Sequence, residues 1–162
     1  MTRAVTGVMT LTLISDLEVS LTREFDAPRE RVFEAWTQPE HVSRWWGQDG
    51  STLALCEIEL RPGGEWRYVE LSADGNEYPF CGEYIEVVAP ERLVHTFVFD
   101  VEPFNARPAT VTVLFEDLDG RTRMTETTVF QTRDDRDAMI EAGMEDGARQ
   151  ALVRLEALLE TR

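Results

Sequence analysis

Four side chains in this sequence have the chemistry and the setting to act as a group: Glu126, His95, Tyr68 and Tyr84. In TRMTETTVF (residues 122–130), period-two alternation puts Met124, Glu126, Thr128 and Phe130 on one strand face. If Met124 and Phe130 face a core, Glu126 faces it too, and a buried carboxylate needs a partner or a proton. His95 shares a face with Phe97 and Phe99, and Tyr68 and Tyr84 add hydroxyls on other strand-like stretches. A Glu–His–Tyr group in an apolar cup can orient a ligand or move protons, with Glu126, His95 and Tyr84 as the candidate catalytic groups. The plain alternative is that Glu126 pairs with an arginine and His95 is a satisfied strand residue.

Composition narrows the chemistry available to such a group. Acidic residues number 31 against 16 basic ones, a net charge of −15, which opposes binding of nucleic acid. Every basic residue is an arginine; without lysine, Schiff-base chemistry and phosphate binding by a P-loop are excluded. Two histidines (His41, His95) and two cysteines (Cys56, Cys81) argue against a zinc cluster, so no metal and no cofactor is expected. The cysteines are 25 positions apart without a CxxC motif and read as reduced core thiols. No apolar run approaches a membrane span, and MTRAVTGVMTLTLIS lacks the features of a signal peptide, so the expected location is the cytoplasm.

The positioning elements follow from periodicity. EVSLTREF (18–25) alternates as a half-buried strand. Pro28 opens a short helix carrying Val32, Phe33 and Trp36, and Pro39 opens a second that Gly47 closes. Strands are expected over 52–60, with Ala54, Cys56, Ile58 and Leu60 on one face, and over 64–71, 80–88, 92–100, 109–116 and 122–130. Pro62-Gly63-Gly64, Asp74-Gly75 and Asp119-Gly120 mark turns between them. One long helix follows from Asp134, with Ile140, Met144, Ala148, Ala151, Leu155 and Leu158 on its apolar face. Residues 1–16 read as an arm or extra edge strand, and residues 17–162 as one domain.

This order, with DAPRERVFEAWTQPEHVSRWWG (26–47), RPGGEWRYV (61–69), CGEYIEVVAPERLVHTF (81–97), DGRTRMTETTVF (119–130) and RDAMIEAGMEDGARQALVRLEALL (136–159), resembles the START-like helix-grip superfamily. Within it the sequence is most similar to the family of the activator of the heat-shock protein 90 ATPase. The resemblance implies an α+β fold: a curved antiparallel sheet of about six or seven strands around a long C-terminal helix, with two short helices after the first strand. It also implies a cavity between sheet and helix for apolar or amphipathic molecules. Two positions depart from the family pattern: Gln48 follows Gly47 where proline is common, and Ala148 follows Gly147 where tryptophan is frequent.

The residues expected to contact a ligand in that cavity are Phe33, Trp45, Trp66, Tyr68, Tyr84, His95, Phe97, Met124, Glu126, Gly143, Met144 and Gly147. Gly143 and Gly147 lie one helical turn apart, where glycine costs about 1 kcal/mol each. Either they leave room for a ligand or they let helix and sheet pack closely. Trp45 and Trp46 are adjacent and cannot face the same way, so one belongs to the core and the other nearer a cavity mouth. Three functions fit these residues. The first is a binding domain for an apolar or aromatic small molecule. The second is a cofactor-independent cyclase, dehydratase or hydrolase in the same cavity, and the third a chaperone-linked interaction protein. Monomer and homodimer are both compatible with the sequence.

Overall fold

The computed structural model describes residues 8–161, so residues 1–7 of the expected arm lie outside it. Eight strands form one antiparallel sheet: β1 (Thr10–Leu13), β2 (Glu18–Phe25), β3 (Thr52–Ile58), β4 (Glu65–Leu71), β5 (Glu77–Val88), β6 (Arg92–Phe99), β7 (Ala109–Asp117) and β8 (Thr122–Val129), in the spatial order β1-β2-β8-β7-β6-β5-β4-β3. Helices α1 (Arg29–Thr37) and α2 (Pro39–Trp45) carry the chain from β2 to the far edge of the sheet, and α3 (Arg133–Glu141) and α4 (Met144–Glu160) complete it. The eighth strand, beyond the six or seven expected, is Thr10–Leu13, paired with β2.

Alternation decides which side of the sheet is buried. On β2, Val19, Leu21, Arg23 and Phe25 are buried while the intervening residues are not, and on β7 Ala109, Val111, Val113 and Phe115 do the same. α1 contributes Val32, Phe33 and Ala35 to this core, and α4 contributes Leu152, Leu155 and Leu159. Each fully buried large apolar side chain stabilises the fold by about 1.5–3 kcal/mol. Arg23 is the exception on the concave face. Its guanidinium donates to the Leu152 carbonyl of α4 and pairs with Glu156 at 2.6 Å, tying helix to sheet.

Three expectations need correction. The single long helix is two helices, because Gly143 takes φ +99° and breaks the path between α3 and α4. Gly143 is therefore a left-handed junction residue, not an interior helical one. On β3 a register shift between Leu53 and Leu55 leaves Ala54 exposed, so the inward set is Leu53, Cys56 and Ile58. The cysteines are half-buried free thiols. Cys56 pairs with Tyr68, and Cys81 with Arg67 on the opposite face of the sheet, so they cannot bridge.

Candidate functional site

The core does not fill the space between the concave sheet and the C-terminal helices. A partly open cavity of about 460 Å³ remains there, within the size range of small-molecule sites. Leu21, Phe97, Val111, Glu126 and Thr128 form its sheet wall. Gly143, Met144, Gly147, Ala148 and Ala151 form its helical wall, and Trp46, Phe80 and Phe99 close one side. The small helical residues leave this space open. A Cβ added to Gly147 would have only Gln48 Nε2 nearby, at 3.9 Å, and one added to Gly143 would meet nothing within 4 Å. Close packing of helix on sheet therefore does not explain Gly147.

Trp45 and Trp46 divide the two roles that adjacency demanded. Trp45 is buried and donates from Nε1 to the Ala35 carbonyl at 2.8 Å. Trp46 leaves α2 in extended conformation and packs edge-on against Phe80 at 4.8 Å and Tyr68 at 5.1 Å. The loop after it is fixed from both sides. Glu70 accepts from the Gln48 backbone N–H at 2.8 Å, and the Arg154 guanidinium donates to the Gln48 carbonyl at 2.9 Å.

A second space of about 30 Å³ lies against the first, bounded by Trp66, Tyr68, Tyr84, Leu93 and His95. That volume suits about one water molecule. Trp36, Trp46, Phe97 and Glu126 border both spaces. Glu126 thus stands where the large cavity meets the small chamber. Its carboxyl has no ion-pair or hydrogen-bond partner among the described residues, and burial alone pushes it up to about 7.

His95 donates from Nδ1 to the Thr96 carbonyl at 3.0 Å, which leaves the Nε2 lone pair free. Burial lowers its pKa and keeps the ring neutral, although the Thr96 contact acts the other way. It pairs across the sheet with Tyr84 and lies edge-on to Trp66. Burial raises both tyrosines, and the neighbouring phenol and thiol add to this, so Tyr68 and Tyr84 remain protonated. The polar groups His95, Tyr68 and Tyr84 at the inner chamber are therefore neutral, set among the apolar Trp66, Leu93 and Phe97. Among the described residues no three His, Cys, Asp or Glu side chains come together to hold a metal.

The family described as "Activator of Hsp90 ATPase homolog 1-like protein" matches residues 26–160. The chain belongs to this family. A protein of solved structure from Arthrobacter aurescens is 29% identical, with 94% of this chain and 92% of that one covered and a TM-score of 0.84. One from Nitrosomonas europaea is 27% identical over 91% of this chain and 97% of that one, with a TM-score of 0.81. A Rhodobacter sphaeroides structure shares the fold at 23% identity and a TM-score of 0.85, with 94% and 98% covered. No protein of curated function matches the chain significantly. The α+β helix-grip architecture of the START-like superfamily is thus shared throughout.

Within this activator-like family member, the twelve expected ligand residues fall into three places. Trp45, Phe97, Glu126, Gly143, Met144 and Gly147 line the main cavity. Trp66, Tyr68, Tyr84 and His95 line the inner chamber. Phe33 and Met124 line neither: Phe33 packs on Phe115 at 5.5 Å, and Met124 is fully buried. Trp46 and Glu70 belong to the lining and were not among the twelve. Alternation through Trp66, Tyr68 and Glu70 on β4 carried the signal for Glu70. Gln48 also approaches Gly147 in the cavity lining, where Ala148 is the next residue.

Proposed function

We propose that the chain is a small-molecule binding protein whose ligand, an apolar or aromatic compound, lies between the sheet and α4. The observation that carries this reading is the 460 Å³ cavity with aromatic walls and one unpartnered carboxyl, Glu126. An apolar body gains from burial against Trp46, Phe80 and Phe97, and a polar group on the ligand finds Glu126 and the inner chamber. The test is native mass spectrometry of the purified protein, then a thermal-shift screen of apolar and aromatic compounds. A retained mass or a ligand-dependent rise in Tm supports the reading. A clean apo mass with no shift across a diverse set rejects it.

One observation favours a second reading, acid–base catalysis of cyclisation, dehydration or hydrolysis in the same space. A carboxyl pushed up to about 7 can both give and take a proton near neutral pH. Its neighbours along the inner chamber, His95 and Tyr84, are neutral hydrogen-bonding groups. Glu126→Gln separates the readings: a binder keeps its ligand, whereas an enzyme binds and stalls. A chaperone-linked role rests on the family name alone, and retention of the protein on an immobilised chaperone middle domain would test it.

A further inference from the structure

We propose that the cavity selects an apolar or aromatic compound carrying a protonated amine, with the ammonium group on Glu126 and the apolar body under α4. The proposal rests on the binding reading above and names the class of ligand. The charged side chains that line the cavity are Glu70, Asp74 and Glu126, and no basic side chain lines it. A carboxylate or phosphate ligand would meet three acidic groups with no basic side chain to offset them, the buried and unpartnered Trp36 Nε1–H being a neutral donor in the same space.

Three carboxylates alone would be a solvated acidic rim; Glu126 makes the difference. Glu70 already accepts from the Gln48 N–H, and Asp74 accepts from the Ser72 hydroxyl and the Asn76 N–H. Glu126 accepts from nothing, and it stands beside Trp36, Trp46 and Phe97. Aromatic faces around a carboxylate form a cation site, since the ring quadrupoles and the carboxylate both attract an ammonium group and the apolar surroundings strengthen the attraction.

The nearby cations are committed elsewhere. Arg23 pairs with Met124, two residues along β2 from the Leu21–Glu126 pair; its terminal N–H groups bind Glu156 and the Leu152 carbonyl, and its buried Nε–H has no partner. Arg154 is held by the backbone carbonyls of Gly47, Gln48 and Ser51. His95, Tyr68 and Tyr84, the titratable groups facing Glu126 across the inner chamber, are neutral. Ionised Glu126 thus has no paired cation among the described residues, and the ligand's ammonium group supplies one.

The experiment is calorimetric titration at pH 8 with three naphthalene probes of matched shape: 2-(2-naphthyl)ethylamine, 2-(2-naphthyl)ethanol and 3-(2-naphthyl)propanoate. The amine is expected to bind at least about tenfold more tightly than the alcohol, and the carboxylate not measurably. In Glu126→Gln the ratio of amine to alcohol affinity is expected to fall to about one. Equal binding of amine and alcohol to the wild type, or an amine advantage that survives in Glu126→Gln, overturns the amine proposal and leaves the binding reading standing. If none of the amine, the alcohol and the neutral dye N-phenyl-1-naphthylamine binds, both fall.

Discussion

The indole Nε1 of Trp66 donates to the backbone carbonyl of Thr96 at 3.2 Å, across the intervening strand β5. It passes over Gly82, its cross-strand partner. A Cβ on Gly82 would lie 2.5 Å from that Nε1 and 2.0 Å from the Thr96 oxygen. The same oxygen accepts from His95 Nδ1. One missing side chain thus lets two walls of the inner chamber share a single acceptor.

Gly82→Ala is therefore expected to destabilise the protein by about 2 kcal/mol or more, since the obstacle is backbone on an adjacent strand. Urea denaturation measures this. The Trp66 fluorescence environment should change with it, whereas Gly120→Ala, in an open turn, should leave the chamber unchanged.

Glu126 makes stability depend on pH in a definite direction. Its folded pKa of about 7 lies above the ordinary 4.5, so the folded state holds an extra proton between those values. Stability from this group is full below about pH 4.5 and falls as pH rises through 7, by up to about 3 kcal/mol. Subtracting the urea curves of Glu126→Gln from those of wild type at pH 5 and pH 8 isolates the effect. Relative to wild type, the variant should gain stability at pH 8; equal differences at both pH values would contradict the assignment.

Filling the helical wall should separate binding from folding. Gly147→Ala replaces an interior helical glycine where only Gln48 Nε2 is near, and is expected to raise stability by about 0.5–1 kcal/mol. Ala148→Trp places an indole in the cavity. It should abolish uptake of N-phenyl-1-naphthylamine while the protein remains folded by circular dichroism.

Arg154 is expected to control the rim rather than the core. It donates to carbonyls of Arg44, Gly47, Gln48 and Ser51 from a position on α4. Arg154→Ala should increase amide hydrogen exchange selectively over residues 47–51, with β7 and β8 protected as before. A uniform rise across the sheet would show that the arginine supports the whole fold.

How much of this was legible in the residues themselves depends on the element. Strands with strict alternation, such as EVSLTREF and TRMTETTVF, could be assigned a buried face directly, and Glu126 followed from Met124 and Phe130 on the same face. The β3 face was misread at Ala54, because an added residue reverses which parity points inward and leaves composition unchanged. The helix break was hidden for a related reason. Ile140, Met144 and Ala148 keep a four-residue spacing through Gly143, and glycine is compatible both with a helix interior and with a left-handed terminus. Adjacency showed that Trp45 and Trp46 part company. Both border the cavity, Trp45 from within the core and Trp46 after leaving α2, a tertiary outcome.

The junction at Gly143 also separates two kinds of variation. β2, β8, β7 and β6 are locked in register by their ladders, and a one-residue change there turns every side chain to the wrong side. The roof is joined at a single left-handed residue with empty space around it. Residues inserted or exchanged at 142–143 alter the depth and pitch of the roof while leaving every strand pairing intact. A lineage can therefore change the size of molecule it accommodates by small edits at this joint, on a sheet that stays constant.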